Sequence, residues 1–505
     1  MQVTAFWKCG DRPMVRWRGL GLALAGGLVL TACGRADQQA LPVVVIGAPG
    51  DLASGGAQPA DAARLMRGAT SEGLVTLDAD GNVVPGIADR WIVTDDGLSY
   101  IFRIRGGAWA DGGRMTGETA RAALMRAIGG VAGTPLALDL APVAEVRAMA
   151  GRVLELRLSH PMPDLLQLLA QPELGLQMRG RQTGSMTAKA EGEAMRLTAV
   201  APERRGLPSV EGWSDLVRPL ILRSLPAERA LADYAAGRAA VLLGGTFADL
   251  PRLRRGVIGA NLPGRATPRI DPVVGLFGLA VENEQGLLAI RQNREALAMA
   301  IDREALAQRL GMPGWVVTSR IVTPGLDGDP GAVGERWADY DLAGRRTMAA
   351  QRIATWAKVS GKPAVLRIAL PQGPGADLLA ERLAVDLAAI GVTLQRVAIN
   401  ATADLRLVDR VARYRSPVWY MNQLHCRVRR PCSAEADALL AKALEADPAT
   451  GPSIMAQAER AAAEANLYIP LGQPIRWSLA PNATPGYAIN GWALHPLAPM
   501  AVVRR

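Results

Sequence analysis

The stretch "SEGLVTLDADGNVVPGIADRWIVTDDGLSYIFRIRGGAWADGGRMTGETA", residues 71–120, reads as a run of short strands divided by tight turns. Turn signals stand at Asp80-Gly81-Asn82, Asp95-Asp96-Gly97 and Asp111-Gly112-Gly113, where short polar side chains and glycine admit the backbone angles of a reversal. "LSYIFRIR" (98–105) alternates apolar and polar residues, which sends one face to a core and the other to solvent. A helix is expected next, with Thr116 as N-cap and Glu118 in its first turn.

Outward from this block the pattern is mixed. "LPVVVIGAPGD" (41–51) reads as a buried strand running into a Gly/Pro loop. "RVLELRL" (152–158) and "RPLILRSL" (218–225) read as strands, "PDLLQLLAQPE" (163–173) and "PAERALADYAAG" (226–237) as helices. Leu379, Leu383, Leu387 and Ile390 share a helical face that Gly391 ends, and "VTLQRVAI" (392–399) resumes as a strand. Ser433 caps a helix with Glu435 and Asp437 in its first turn. Helix followed by strand in this manner belongs to α/β lobes.

The 505 residues suffice for several domains. The net charge of +10 comes from arginines spread along the chain, tightly clustered only at "RLRR" (252–255) and "RVRR" (427–430), and no nucleic-acid motif accompanies them. No phosphate-binding GxxxxGK[ST], HExxH or GxSxG is present, and three histidines give little scope for imidazole catalysis. No catalytic residue, metal site or cofactor is expected.

Basic residues, Arg16 and Arg18 among them, precede the glycine- and leucine-rich segment Leu20 to Leu30, which is too short to span a bilayer and has the anatomy of a secretory leader. Met14 begins an equally complete leader. The following "LTAC" (30–33) resembles the bacterial lipobox. That resemblance implies cleavage before Cys33 and diacylation of its sulfur, which anchors the chain stably to a membrane surface. Residues 1–32 are then the signal peptide, 33–41 a tether, and the mature chain lies in the periplasm. In that oxidising compartment Cys426 and Cys432 are expected to form a disulfide. A metal at His425, Cys426 and Cys432 would need a fourth ligand, and none is evident.

Five blocks in order resemble the extracellular solute-binding proteins of ABC importers, family 5, the peptide/nickel-binding class. In residues 71–120, Glu72, Gly73, Leu74, Pro85, Gly86, Trp91, Asp96, Gly97, Tyr100, Phe102, Arg105, Asp111 and Gly112 fall in register with that class. "LAPVAEVRAMAGRVLELRLSHPMPDLLQLLAQPELGL" (140–176), "NREALAMAIDREALAQRL" (293–310, with Asp302 capping), "SAEADALLAKALEADP" (433–448) and "NLYIPLGQP" (466–474) follow. The resemblance implies an α/β, two-lobed periplasmic-binding-protein fold (class II type) with an extra α+β domain inserted in the first lobe. Lobe I would comprise 42–62, 190–272 and 474–505, the extra domain 63–189, and lobe II 273–473. Extended crossings near Leu276–Val281 and Ile469–Trp477 would be the hinge. A monomer would capture a small-molecule or peptide-like ligand by closure and deliver it to ABC permease transmembrane subunits. A sensor or periplasmic chaperone without transport is the alternative.

In peptide-binding members a carboxylate in a segment like "W.ADY.DP" receives the peptide's α-ammonium. The matching stretch here is "RVARYRSPVWYMNQ" (410–423), with Arg413 where that Asp would stand. A cation there would repel an ammonium group by several kcal/mol and suit an anionic ligand instead, provided that Arg413 faces the cleft rather than solvent. Tyr414, Trp419, Tyr420 and Asn422 are further candidates for the ligand site. "AGRAAVLLGG" (236–245) also departs from the class, with Arg238 and Ala240 in place of acidic residues.

Overall fold

The computed structural model describes residues 39–503, apart from 110–112, 179–180, 257–267, 313, 327–328 and 330–332. The leader, Cys33 and most of the tether lie outside the described residues, as do Asp111 and Gly112.

"VVVI" is apolar throughout because the strand Leu41–Ile46 lies mid-sheet and is covered on both sides. Val43 and Val45 enter one apolar core and Val44 enters another. This strand runs parallel to Leu220–Leu225 and Val241–Thr246. The seven-stranded sheet of lobe I continues on one side through Ala194–Ala199 and Met186–Glu191, and on the other through Arg476–Leu479 and Arg269–Ile270. Lobe II is built on five strands, in the order Thr393–Ala398, Val365–Leu370, Leu405–Val411, Gly275–Val281 and Tyr468–Gly472. The block that opened the analysis contributes Ala88–Val93 and Ser99–Ile104 to a four-stranded antiparallel sheet, with Val153–Leu158 and Val143–Ala148.

Local expectations hold where side chains decide them. Thr116 accepts a hydrogen bond from Thr119 N, Asp302 from Ala305 N and Ser433 from Ala436 N, each at a helix start. Leu379, Leu383, Leu387 and Ile390 are all buried. Among the described residues no helix is long and apolar enough to cross a membrane.

The chain passes between the two large sheets at 271–274 and returns at 473–475. The first passage differs from the expected Leu276–Val281. That segment lies inside strand Gly275–Val281, paired on both edges and buried along its whole length, and has no freedom to flex.

The extra domain is tied to lobe I by charge. Glu72 meets Arg105 at 2.7 Å and also pairs with Arg205, while Arg105 Nη1 donates to the Gly86 carbonyl at 2.7 Å. Glu72 and Arg105 are both buried. Replacing Glu72 with Ala strands the Arg105 guanidinium, and the expected loss is about 3–5 kcal/mol of unfolding free energy, read from the urea midpoint. A loss below about 1 kcal/mol would mean that the trio contributes nothing net.

Candidate functional site

The two passages bring residues of both lobes and the extra domain around a cavity of about 220 Å3. Leu243, Gly244 and Gly245, near the end of strand Val241–Thr246 of lobe I, lie there beside Trp477. Gly245 is required by packing: a Cβ on it would lie 2.2 Å from the Trp477 ring. The indole is held by its own Nε1, which donates to the Thr246 carbonyl at 2.8 Å.

Trp419 and Gln423 reach the cavity from helix Pro417–Leu424, four residues apart and so on one face. Ser416 caps this helix and Pro417 occupies its first turn. Both cavity-lining side chains are buried, and among the described residues neither Trp419 Nε1 nor Gln423 Nε2 has a hydrogen-bond partner. A buried donor left in this way costs about 1–3 kcal/mol until a ligand or water meets it.

Charge around the cavity is mostly compensated. Glu173 is buried between Arg413 Nη2 at 2.8 Å and Arg64 Nε at 3.2 Å. Burial alone would raise its carboxyl, but the two guanidiniums hold it down at about 2. Asp409 pairs with Arg476 at 2.8 Å; burial pushes its carboxyl up against that cation, and Asp61 adds to the rise. Asp271 meets His495 Nε2 at 3.2 Å and accepts from Asn490 N at 3.0 Å. Arg410 and Asp61 are the exceptions. Arg410 donates to Gln423 Oε1 at 3.1 Å, and among the described residues neither has an ion-pair partner.

The five side chains expected at the site are divided by the structure. Arg413 and Trp419 line the cavity. Tyr414 and Asn422 both donate to Asp139 Oδ1, at 3.0 and 2.8 Å, and border a separate hollow beside His160. Burial lifts the Asp139 carboxyl to about 6, against the pull of those two donors. Tyr420 is buried and its hydroxyl lies 2.7 Å from that of Thr323. Helical periodicity explains the division, because residues 419 and 423 point one way and 420 and 422 others. Arg238 pairs with Asp233 away from the cavity. Sequence reasoning did not single out Glu173, Arg64, Asp409, Arg410, Arg476 or Trp477, since their importance arises from contacts between distant segments. Cys426 and Cys432 are bridged, with Cα atoms 5.2 Å apart. His425 pairs with Asp437 at 3.2 Å.

Residues 82–191 match the model of "Bacterial extracellular solute-binding proteins, family 5 Middle". The likeness to the family 5 solute-binding proteins is carried by this segment. Over 121 residues it is 34% identical to the "probable deoxycholate-binding periplasmic protein YgiS" of Escherichia coli K12, a match covering 20% of this chain and 23% of that one. At the level of fold it resembles the Escherichia coli murein tripeptide binding protein MppA (TM-score 0.77, 18% identity, 93% of this chain and 99% of that one). The unliganded open form of MppA superposes less well, at 0.60, with 18% identity, 93% of this chain and 98% of that one. Haemophilus influenzae OppA, in complex with the peptide RPPGFSPFR, gives 0.76 at 15% identity over 92% of this chain and 99% of that one. These likenesses establish the two-lobed fold.

The Glu173 trio is testable through pH. The folded-state carboxyl lies below its ordinary value of 4.5, so the stability it contributes is present above about pH 4.5 and is lost as pH falls toward 2. The shift corresponds to roughly 3 kcal/mol. Glu173→Gln is expected to flatten the fall of urea-unfolding free energy between pH 4.5 and 2.5 while lowering stability at pH 7. An unchanged acid limb would contradict the assignment.

Proposed function

We propose that this chain is a solute receptor of an ABC importer, which captures a medium-sized peptide-like or carboxylate-bearing solute between its lobes and presents the closed form to a permease. The observation that carries this reading is the interlobe cavity with two buried, partnerless donors, Trp419 Nε1 and Gln423 Nε2. Such groups are tolerated where something polar is to be bound. The better superposition on MppA than on its unliganded open form supports a second element of the reading, that the lobes here are drawn together. A solute favours that form only by as much as it binds it more tightly than the open one.

The preference for an anionic group moves from Arg413 to its neighbour. Arg413 shares the Glu173 carboxylate with Arg64, so its guanidinium is held on that carboxylate while the trio keeps one net positive charge. Arg410 keeps its charge facing the cavity. No catalysis is proposed. His495, the histidine at the cavity among the described residues, has Nε2 at 3.2 Å from Asp271 Oδ2 and Nδ1 at 3.1 Å from the Ala488 carbonyl. The mature chain is proposed to be periplasmic, a monomer anchored by a lipid on Cys33.

Two measurements test this. Thermal-shift screening against tripeptides, deoxycholate and other carboxylates should find solutes that raise the melting temperature, because ligand bound only to the folded form stabilises it. A panel spanning peptides, bile acids and neutral metabolites that shifts nothing would contradict capture. Separately, Cys33→Ala should abolish labelling by radioactive palmitate and move the protein from the membrane to the soluble fraction. Unchanged membrane association would contradict the anchor.

A further inference from the structure

Next to the cavity lies a wider chamber of about 660 Å3, which shares Asp61, Asp409, Arg410, Gln423 and Arg476 with it. Two of its cations are neutralised: Arg406 pairs with Glu282 at 3.0 Å and Arg476 with Asp409 at 2.8 Å. Arg410, Arg429 and Arg430 line the same chamber and, among the described residues, none has a carboxylate within ion-pair distance; Arg430 is exposed, and its Nη1 lies 3.2 Å from Cys432 Sγ.

We propose that Arg410 and Arg429 form a subsite for a carboxylate of the captured solute, and that the Cys426–Cys432 bridge holds Arg429 in position for it. The proposal rests on the solute-receptor reading above. Unfilled donors converge there. Gln423 is 5% exposed; its Oε1 is taken by Arg410, and its Nε2 has no partner. Arg429 anchors Nη2 on the Val281 carbonyl at 2.8 Å, while its buried Nε also lacks a partner. Burial lowers the pKa of both guanidiniums, Arg413 adding to the effect on Arg410, and Arg410 to that on Arg429 against the pull of Glu282. Like charges gathered in a partly desolvated cleft are unfavourable until an anion arrives. A planar carboxylate accepts from guanidiniums and an amide together, with charge-assisted strength. Asp61 is the chamber's one carboxylate without an ion pair among the described residues, and it would disfavour a second anionic group nearby.

Arg429 is delivered by a short covalent loop. The bridge closes residues 426–432, Cys426 N donates to Asp437 Oδ2 at 2.9 Å, and Arg429 N donates to the His425 carbonyl at 3.2 Å. Backbone and guanidinium are therefore both fixed before any solute binds, so little ordering entropy remains to be lost.

The test is calorimetric titration of the full-length protein with two matched pairs, trialanine against trialanine amide and glutarate against glutaramide. The acid of a pair should bind wild type at least tenfold more tightly than its amide. Arg410→Gln and Arg429→Gln should each bring that ratio below threefold by weakening the acid far more than the amide, a result that general destabilisation would not give. Cys426→Ser/Cys432→Ser should reduce the ratio as well. An acid-to-amide ratio near one in wild type, or one untouched by both arginine variants, would overturn the subsite; a full ratio in the cysteine variant would overturn the role of the bridge. If neither pair binds while an uncharged solute still raises the melting temperature, the subsite falls and the receptor reading stands. If no solute of any class binds, both fall.

Discussion

The double passage of the chain between two sheets is the constraint from which the site follows. Residues 271–274 and 473–475 run side by side, fastened by the Asp271 N to Arg476 O hydrogen bond of 3.1 Å and by pairing of Arg269–Ile270 with Arg476–Leu479. On the lobe II side, strand Gly275–Val281 is locked between two neighbours. Whatever lies at the mouth of these passages must be shared by both lobes. That is where Trp477, Asp409, Arg410 and Trp419 meet.

Packing around the passages is continuous rather than loose. Phe247 of lobe I and Phe277 of lobe II stack edge to face at 4.9 Å, and Trp315 adds a second edge contact to Phe277 at 5.7 Å. The extra domain grips lobe II through Glu173–Arg413 and through Asp139 with Tyr414 and Asn422. Each of these contacts buries charge or polar groups with their partners, the condition under which such groups are tolerated. An arginine-rich composition, unremarkable as a list, is thus converted into specific clamps, with Arg410, Arg429 and the exposed Arg430 left over on the cleft side.

Much of the fold was readable from local pattern. The turns and alternation of 71–120, the caps at Thr116, Asp302 and Ser433, and the buried stripe from Leu379 to Ile390 are short-range effects, set by neighbours a few residues apart. The disulfide was also legible, because only one cysteine pair remained outside the leader. The site was less so. The segment 410–423 was found, and helical spacing separates Trp419 and Gln423 from Tyr420 and Asn422, yet it does not tell which of the two faces meets the cavity. Glu173 lies 240 residues from the arginine that it pairs with. Partnerships over that distance are a property of topology, and they reversed the weight placed on Arg413.

Movement of one lobe against the other about the paired passages is the claim on which the account stands. The most direct measurement is the distance distribution between spin labels at Lys189, on the outer hairpin of lobe I, and Lys358, on an exposed helix of lobe II, with and without a bound solute. The account predicts a broad or two-state distribution in the free protein that collapses to one narrow component when the cleft is filled. A single distribution, the same before and after binding, would contradict it.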